Sequence, residues 1–142
     1  MSDTSTAVAQ SFYAVTLGVN DVPGQRAFYE RWGWHAKPYS SDEYVAFELE
    51  GTIVAFVEKG LLGAEAAPGE QVAEGGWNGV SLAINVPARE QVDTTFKSAV
   101  AAGARPIGEP EDRSWGGRSA YVAGPEGTRW EISWVPAELM NA

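Results

Sequence analysis

Hydrophobic spacing along the chain switches between a period of two and a period near 3.6, and the order of the switches repeats once. Residues 12–19 alternate as a strand should, with Val15, Leu17 and Val19 on one face and Ala14, Thr16 and Gly18 on the other. Asn20-Asp21 then offers a helix cap, Pro23 falls in the first turn, Phe28, Tyr29 and Trp32 mark an apolar stripe, and Gly33 supplies the stop. Three further strands are expected at 34–38, 44–49 and 52–57, with Glu50-Gly51 as the tight turn between the last two.

The same succession returns after a stretch rich in Gly, Ala, Glu and Pro. A strand is expected at 80–86 and a helix at 87–102, with Val92, Phe96 and Val100 four residues apart and Gly103 as its stop. Strands follow at 106–108, 118–123 and 129–134. Leu17-Gly18-Val19-Asn20 echoes Leu82-Ala83-Ile84-Asn85, and Glu50-Gly51-Thr52 matches Glu126-Gly127-Thr128, so an internal duplication is the economical explanation. The expected organisation is a flexible tail at 1–10, one domain at 11–136 (module one 11–59, linker 60–78, module two 79–136) and a second tail at 137–142.

Composition narrows the chemistry. The 142 residues hold 44% apolar and 20% charged side chains, inside the globular range. There is no cysteine, which excludes disulfides, thiolate catalysis and cysteine-ligated metals. A net charge of −9 argues against nucleic acid, whose phosphates call for a surplus of Lys and Arg. The polar start of the chain and the lack of any apolar run near 20 residues lead to the expectation of a cytoplasmic protein with no membrane partner.

Several motifs resemble the vicinal oxygen chelate superfamily, the glyoxalase, bleomycin-resistance and dioxygenase type. In the first module they are Val15-Thr16-Leu17-Gly18-Val19-Asn20-Asp21, Ala27-Phe28-Tyr29-Glu30 and Gly33-Trp34. In the second they are Gly79-Val80-Ser81-Leu82-Ala83, Ala101-Ala102-Gly103-Ala104, Trp115-Gly116-Gly117 and Gly124-Pro125-Glu126-Gly127-Thr128-Arg129-Trp130-Glu131-Ile132. The resemblance spans about residues 12 to 136. It implies an α+β fold of two tandem βαβββ modules that form a cupped mixed sheet with helices on its outer face. It also implies a homodimer, since paired modules of this type often complete a cleft across a twofold axis.

Enzymes of this superfamily hold a metal with four side chains, two from each module. Carried onto this sequence, the four positions are Ala14, Ala55, Ser81 and Glu131, of which only Glu131 is a strong ligand. Glu58 adds at most a second carboxylate, and the one histidine, His35, falls away from all four and is expected at the solvent edge. No metal and no cofactor are therefore expected. Aromatic residues make up 11% of the chain, and Trp77 and Trp115 fall on loops beside glycine pairs, where binding residues concentrate. Trp115 has packing on Gly116-Gly117 as its simpler role, and Trp32, Trp130 and Trp134 read as core.

Three readings follow. The first is a metal-independent protein that sequesters an apolar or aromatic small molecule, antibiotics included, in a cleft walled by Trp77, Trp115, Tyr121, Tyr44, Ser81, Ala14, Arg129 and Glu131. The second is a lyase, isomerase or ring-modifying enzyme with Glu131 as general base. The third is a metal enzyme, of dioxygenase type for example, with Glu131 as a ligand and the other ligands elsewhere than these positions.

Overall fold

A computed structural model describes residues 7–141. Module one consists of β1 (Ala14–Val19), α1 (Val22–Trp32), β2 (Tyr44–Leu49) and β3 (Thr52–Glu58). After α2 (Lys59–Ala66), module two follows as β4 (Ser81–Asn85), α3 (Gln91–Ala102), β5 (Arg105–Asp112), β6 (Arg118–Ala123) and β7 (Arg129–Trp134). A short α4 (Ala137–Met140) occupies the stretch expected to be a tail. Of the expected tail at 1–10, residues 1–6 lie outside the described residues and residues 7–10 form no helix or strand. The strands form two mixed sheets of order β1-β3-β2 and β4-β7-β6-β5, and in each the first strand of the module runs parallel to the last. No helix among the described residues is long and apolar enough to cross a membrane.

Alternation fixes which face of each sheet meets the helices. Val45, Phe47, Val54 and Phe56 of sheet one and Val122, Trp130 and Ile132 of sheet two are buried, against Phe28 and Tyr29 of α1 and Val92, Phe96 and Ala99 of α3. Tyr29 is the hub, with its ring stacked on Trp34 and Phe56 at centroid distances of 5.2 and 5.0 Å. Trp130 meets it edge-on at 5.9 Å and donates its indole N–H to the Tyr29 hydroxyl at 2.8 Å. One buried hydrogen bond thus joins the helix of module one to the last strand of module two. Both helices stop where expected, at Gly33 and Gly103, which take left-handed φ values of 118° and 115° that a side chain resists.

Four expectations are corrected. Residues 34–38 form no strand: Trp34 and Ala36 pack against the core, but Pro38 has no N–H to donate, and only Lys37 donates a ladder-like bond, to the Ala46 carbonyl at 2.8 Å. The linker contains α2, capped by the Glu58 carboxylate, which accepts from the Leu61 N–H at 3.0 Å. The second helix begins at Gln91, four residues after Pro87. The letter echo of Leu17 with Leu82 is out of structural step, because Leu17 pairs with Phe56 whereas Ile84 pairs with Ile132, the matching position of the last strand. A shift of two residues keeps every side chain on its own face, so the apolar pattern tolerates it.

Candidate functional site

The ladder register lays out the face of each sheet that turns away from α1 and α3. On sheet two it gives three rows: Ser81, Arg129, Ala123 and Arg105; then Ala83, Glu131, Tyr121 and Gly108; then Asn85, Ser133, Ser119 and Glu111. On sheet one the rows are Ala14, Ile53 and Glu48; Thr16, Ala55 and Ala46; and Gly18, Val57 and Tyr44. The first face is polar and charged, and the second is largely apolar. α2 packs against β1 and β3 on this apolar side, where a Cβ added to Gly18 would lie 3.1 Å from the Lys59 Cβ and 3.4 Å from Leu62.

The structure therefore gathers Ser81, Arg129, Glu131 and Tyr121 on two adjacent rows. The Tyr121 hydroxyl is pushed above the ordinary tyrosine range, first by burial and then by the charge of, and hydrogen bond to, the Glu131 carboxylate. Arg113 crosses the third row, donating from Nε to the Ser119 hydroxyl at 2.7 Å and from Nη1 to Glu111 at 3.1 Å. Ala14 and Tyr44 stand on the other sheet, where Tyr44 stacks on Tyr39 at 6.0 Å.

The two loop tryptophans are separated. Trp77 is 55% exposed, yet its indole is fixed: Nε1 donates to the Val80 carbonyl at 2.8 Å, and the Arg129 guanidinium lies 5.8 Å from the ring centroid. Trp115 lies beside the other end of β7. A Cβ on Gly117 would come within 1.9 Å of the Trp115 ring and 2.5 Å of the Trp134 carbonyl, so the indole lies flat on the glycine. Since Trp77 sits at the Arg129 end of that strand, about 17 Å separates the two regions at the usual rise per residue. Placing Trp115 in the same wall as Trp77 is corrected on this ground.

Trp77 and Arg129 instead border a groove with two overlapping lobes of about 390 and 460 Å³. Its walls are the end of β1 at Leu17–Asn20, Lys59, the strap 73–78, Arg105 and the turn Glu126–Thr128. Glu131 and Tyr121, one row away, and Ser81, in the row of Arg129, do not border it. Glu126, on the same lobe as Arg105 and Arg129, takes a strained form, with φ of 60° in a residue other than glycine. Its two carboxylate oxygens accept from the Asn20 and Asp21 N–H groups at 2.8 and 3.0 Å, which satisfies donors at the start of α1. Sequence reasoning missed Glu126, Arg105 and the Lys59 end of α2. The only signal for them was the Glu-Gly-Thr repeat, which marks the turn but not what it caps.

The four positions that the resemblance assigns to a metal hold Ala14, Ala55, Ser81 and Glu131. Ala55 is buried and pairs with Thr16, while Ala83 stands opposite Glu131. One carboxylate and one hydroxyl do not fit zinc, nickel or iron, which need three or more firm protein ligands. Among the described residues, no three His, Asp or Glu side chains come close enough to hold an ion. His35 is exposed.

Comparison with known proteins agrees with this architecture. The sequence profile of the Glyoxalase/Bleomycin resistance protein/Dioxygenase superfamily matches residues 11–132. A glyoxalase-related enzyme from Fulvimarina pelagi is 28% identical with a TM-score of 0.79, over 90% of each chain. A glyoxalase/bleomycin resistance protein/dioxygenase from Nocardioides is 22% identical with a TM-score of 0.77, over 93% of this chain and 87% of that one. A lactoylglutathione lyase from Agrobacterium tumefaciens shares 15% identity and a TM-score of 0.67 over 99% and 100% of the two chains. No curated protein matches. With the profile covering most of its length and two modules in place, βαββ followed by βαβββ, the chain belongs to the glyoxalase/bleomycin resistance protein/dioxygenase superfamily.

Proposed function

We propose that the protein binds a planar small molecule in the groove between its modules without a metal, as a homodimer, and releases it unchanged. The observation that carries this reading is the Trp77 indole, fixed by Val80 and Arg129 at the wall of a groove large enough for a small organic ligand. A half-exposed indole held in one orientation loses little entropy when a ring stacks on it, and stacking contributes about 0.5 to 1.5 kcal/mol beyond area burial. The donor set described above supports binding without a metal. Antibiotics are one class of ligand with the required planar apolar surface.

The test is to incubate pure protein with a panel of aromatic natural products, follow tryptophan fluorescence, and recover each compound for mass spectrometry. Quenching by some members with every compound returned intact is the expected result, and a new product mass overturns it. Elemental analysis is expected to show far less than one zinc, nickel or iron per chain; stoichiometric metal defeats the metal-free reading.

A second reading rests on the Tyr121 and Glu131 pair, in which Glu131 serves as a general base and the Tyr121 hydroxyl holds the substrate. Glu131→Gln separates the two. A base loses turnover with that change, whereas a wall residue loses only modest affinity.

A further inference from the structure

The chain has seven arginines, and five are engaged. Arg26 pairs with Glu30, Arg31 donates to the Ala102 carbonyl, Arg89 pairs with Asp112, Arg113 pairs with Glu111 and Ser119, and Arg118 grips Asp93 and Asp112. The side chains of Arg105 and Arg129 have no ion pair or hydrogen bond among the described residues, Arg129 meeting only the Trp77 ring, and both border the same lobe of the groove. They share one row of sheet two, flanking the small, buried Ala123, which sets their backbones about 10 Å apart across two strand spacings. The Nη1 of Arg129 is shielded from solvent with no acceptor. A buried, unmatched cationic donor is costly, and native structures supply a partner for such groups.

A molecule with 19 acidic groups and a net charge of −9 has carboxylates to spare for pairing. The one carboxylate on this groove wall near the two arginines, Glu126, spends its oxygens on the backbone at the start of α1 and on the Gln25 amide. Lys59, across the groove, is already paired with Glu74. Two guanidiniums without an ion pair therefore border the same lobe as a fixed indole, and among the described residues no carboxylate on its wall is left to pair with them.

We infer that the groove is built for an aromatic carboxylate, whose ring stacks on Trp77 while its carboxylate is held by Arg129 and Arg105. This rests on the binding reading above and adds the charge of the ligand to it. Arginine is suited to the task because its planar fork meets a carboxylate with two parallel hydrogen bonds and tolerates stacking on an indole. The overall negative charge slows the approach of anions but does not weaken a short, shielded pair inside the groove.

The test uses three probes of one shape: 2-naphthoate, the neutral 2-naphthamide and the cationic 2-naphthylmethylammonium. Binding is read by calorimetry and by quenching of tryptophan fluorescence. Wild type is expected to bind naphthoate about 10- to 100-fold more tightly than the amide, the scale of a charge-assisted pair, with the cation weakest. Arg129→Gln should erase the preference for the acid, so that naphthoate and naphthamide bind alike, even where losing the guanidinium beside Trp77 weakens both. Arg105→Gln, at an exposed position that leaves folding intact, should reduce it by several-fold. Equal binding of acid and amide by wild type overturns the inference and leaves the binding reading standing. Failure of all three probes, with other members of the aromatic panel still quenching, overturns it too. A panel that finds no ligand at all defeats both.

Discussion

Tyr29 is fully buried, and its hydroxyl accepts the Trp130 N–H. Burial is the chief cause that pushes its phenol well above the ordinary tyrosine range, with the Trp130 bond opposing it. The folded pKa is thus higher than the unfolded one, so the associated stability is complete below about pH 10 and is lost as pH rises beyond it, because only the unfolded chain can shed the proton. Denaturant titrations at about pH 9 and about pH 11 should differ by about 1.4 kcal/mol from this group alone, with most of the fall above about pH 10. Tyr29→Phe should flatten that part of the slope, at a constant cost of about 1 to 3 kcal/mol for the orphaned Trp130 donor. An unchanged slope would refute the assignment. Trp115 makes the opposite case, a residue whose chemistry invites a binding role while its geometry assigns packing. Trp115→Ala should lower stability by about 1 to 2 kcal/mol, less than for a buried tryptophan, and leave ligand affinity within about twofold. A larger affinity loss would return it to the binding wall. From sequence, the core tryptophans were legible through their spacing. The fate of Trp115 was not, because it depends on the backbone of Gly117 two residues away and on the Trp134 carbonyl from a neighbouring strand.

At the scale of elements, strands with clean alternation were readable almost to the residue: 44–49, 118–123 and 129–134 coincide with β2, β6 and β7. α2 was not readable. Gly60 and Gly63 each cost a helix roughly 1 kcal/mol, so local propensity points to a loop, and the helix depends on its Glu58 cap and on packing against β1 and β3. The turn at Glu126 joins elements in a way that no local pattern records, since its two hydrogen bonds span 106 and 105 positions. Glu126→Ala removes both acceptors while keeping the left-handed backbone, and is expected to cost about 2 to 3 kcal/mol. Glu126→Gly loses the same acceptors but relieves the strain, so it should be less harmful by about 1 kcal/mol. Thermal denaturation of the two variants decides the matter. If glycine is no better than alanine, the strain at this position contributes nothing measurable.

For the whole molecule, the order of elements and its repetition identify the two modules, whereas the groove between them was legible in the sequence only at Trp77 and Arg129. It is made by residues near 18, 59, 76, 105 and 127, brought together only when the modules dock. The cleft expected from sequence holds Trp77, Arg129 and Glu131 together but lacks Arg105, which lies one row from Glu131 and two strands away. Docking also leaves a consequence at the edges. β1 and β4 are each hydrogen-bonded on one side only, and exposed apolar side chains stand just before them, Phe12 and Tyr13 ahead of β1 and Val80 ahead of β4. Open strand edges beside apolar side chains are templates for another chain, and a monomer protects them with charge, bulges or cover. Neither strand carries a charged residue. A second copy of the chain, related by a twofold axis, would cover both edges at once. Light scattering at micromolar concentration should therefore return twice the 15.2 kDa of one chain. The paired variant Tyr13→Lys with Val80→Lys, which places like charges at the edges without touching the core, should shift the mass to that of a single chain. A wild-type protein that scatters as 15.2 kDa throughout would show that the edges remain open in solution and that the groove is complete within one copy.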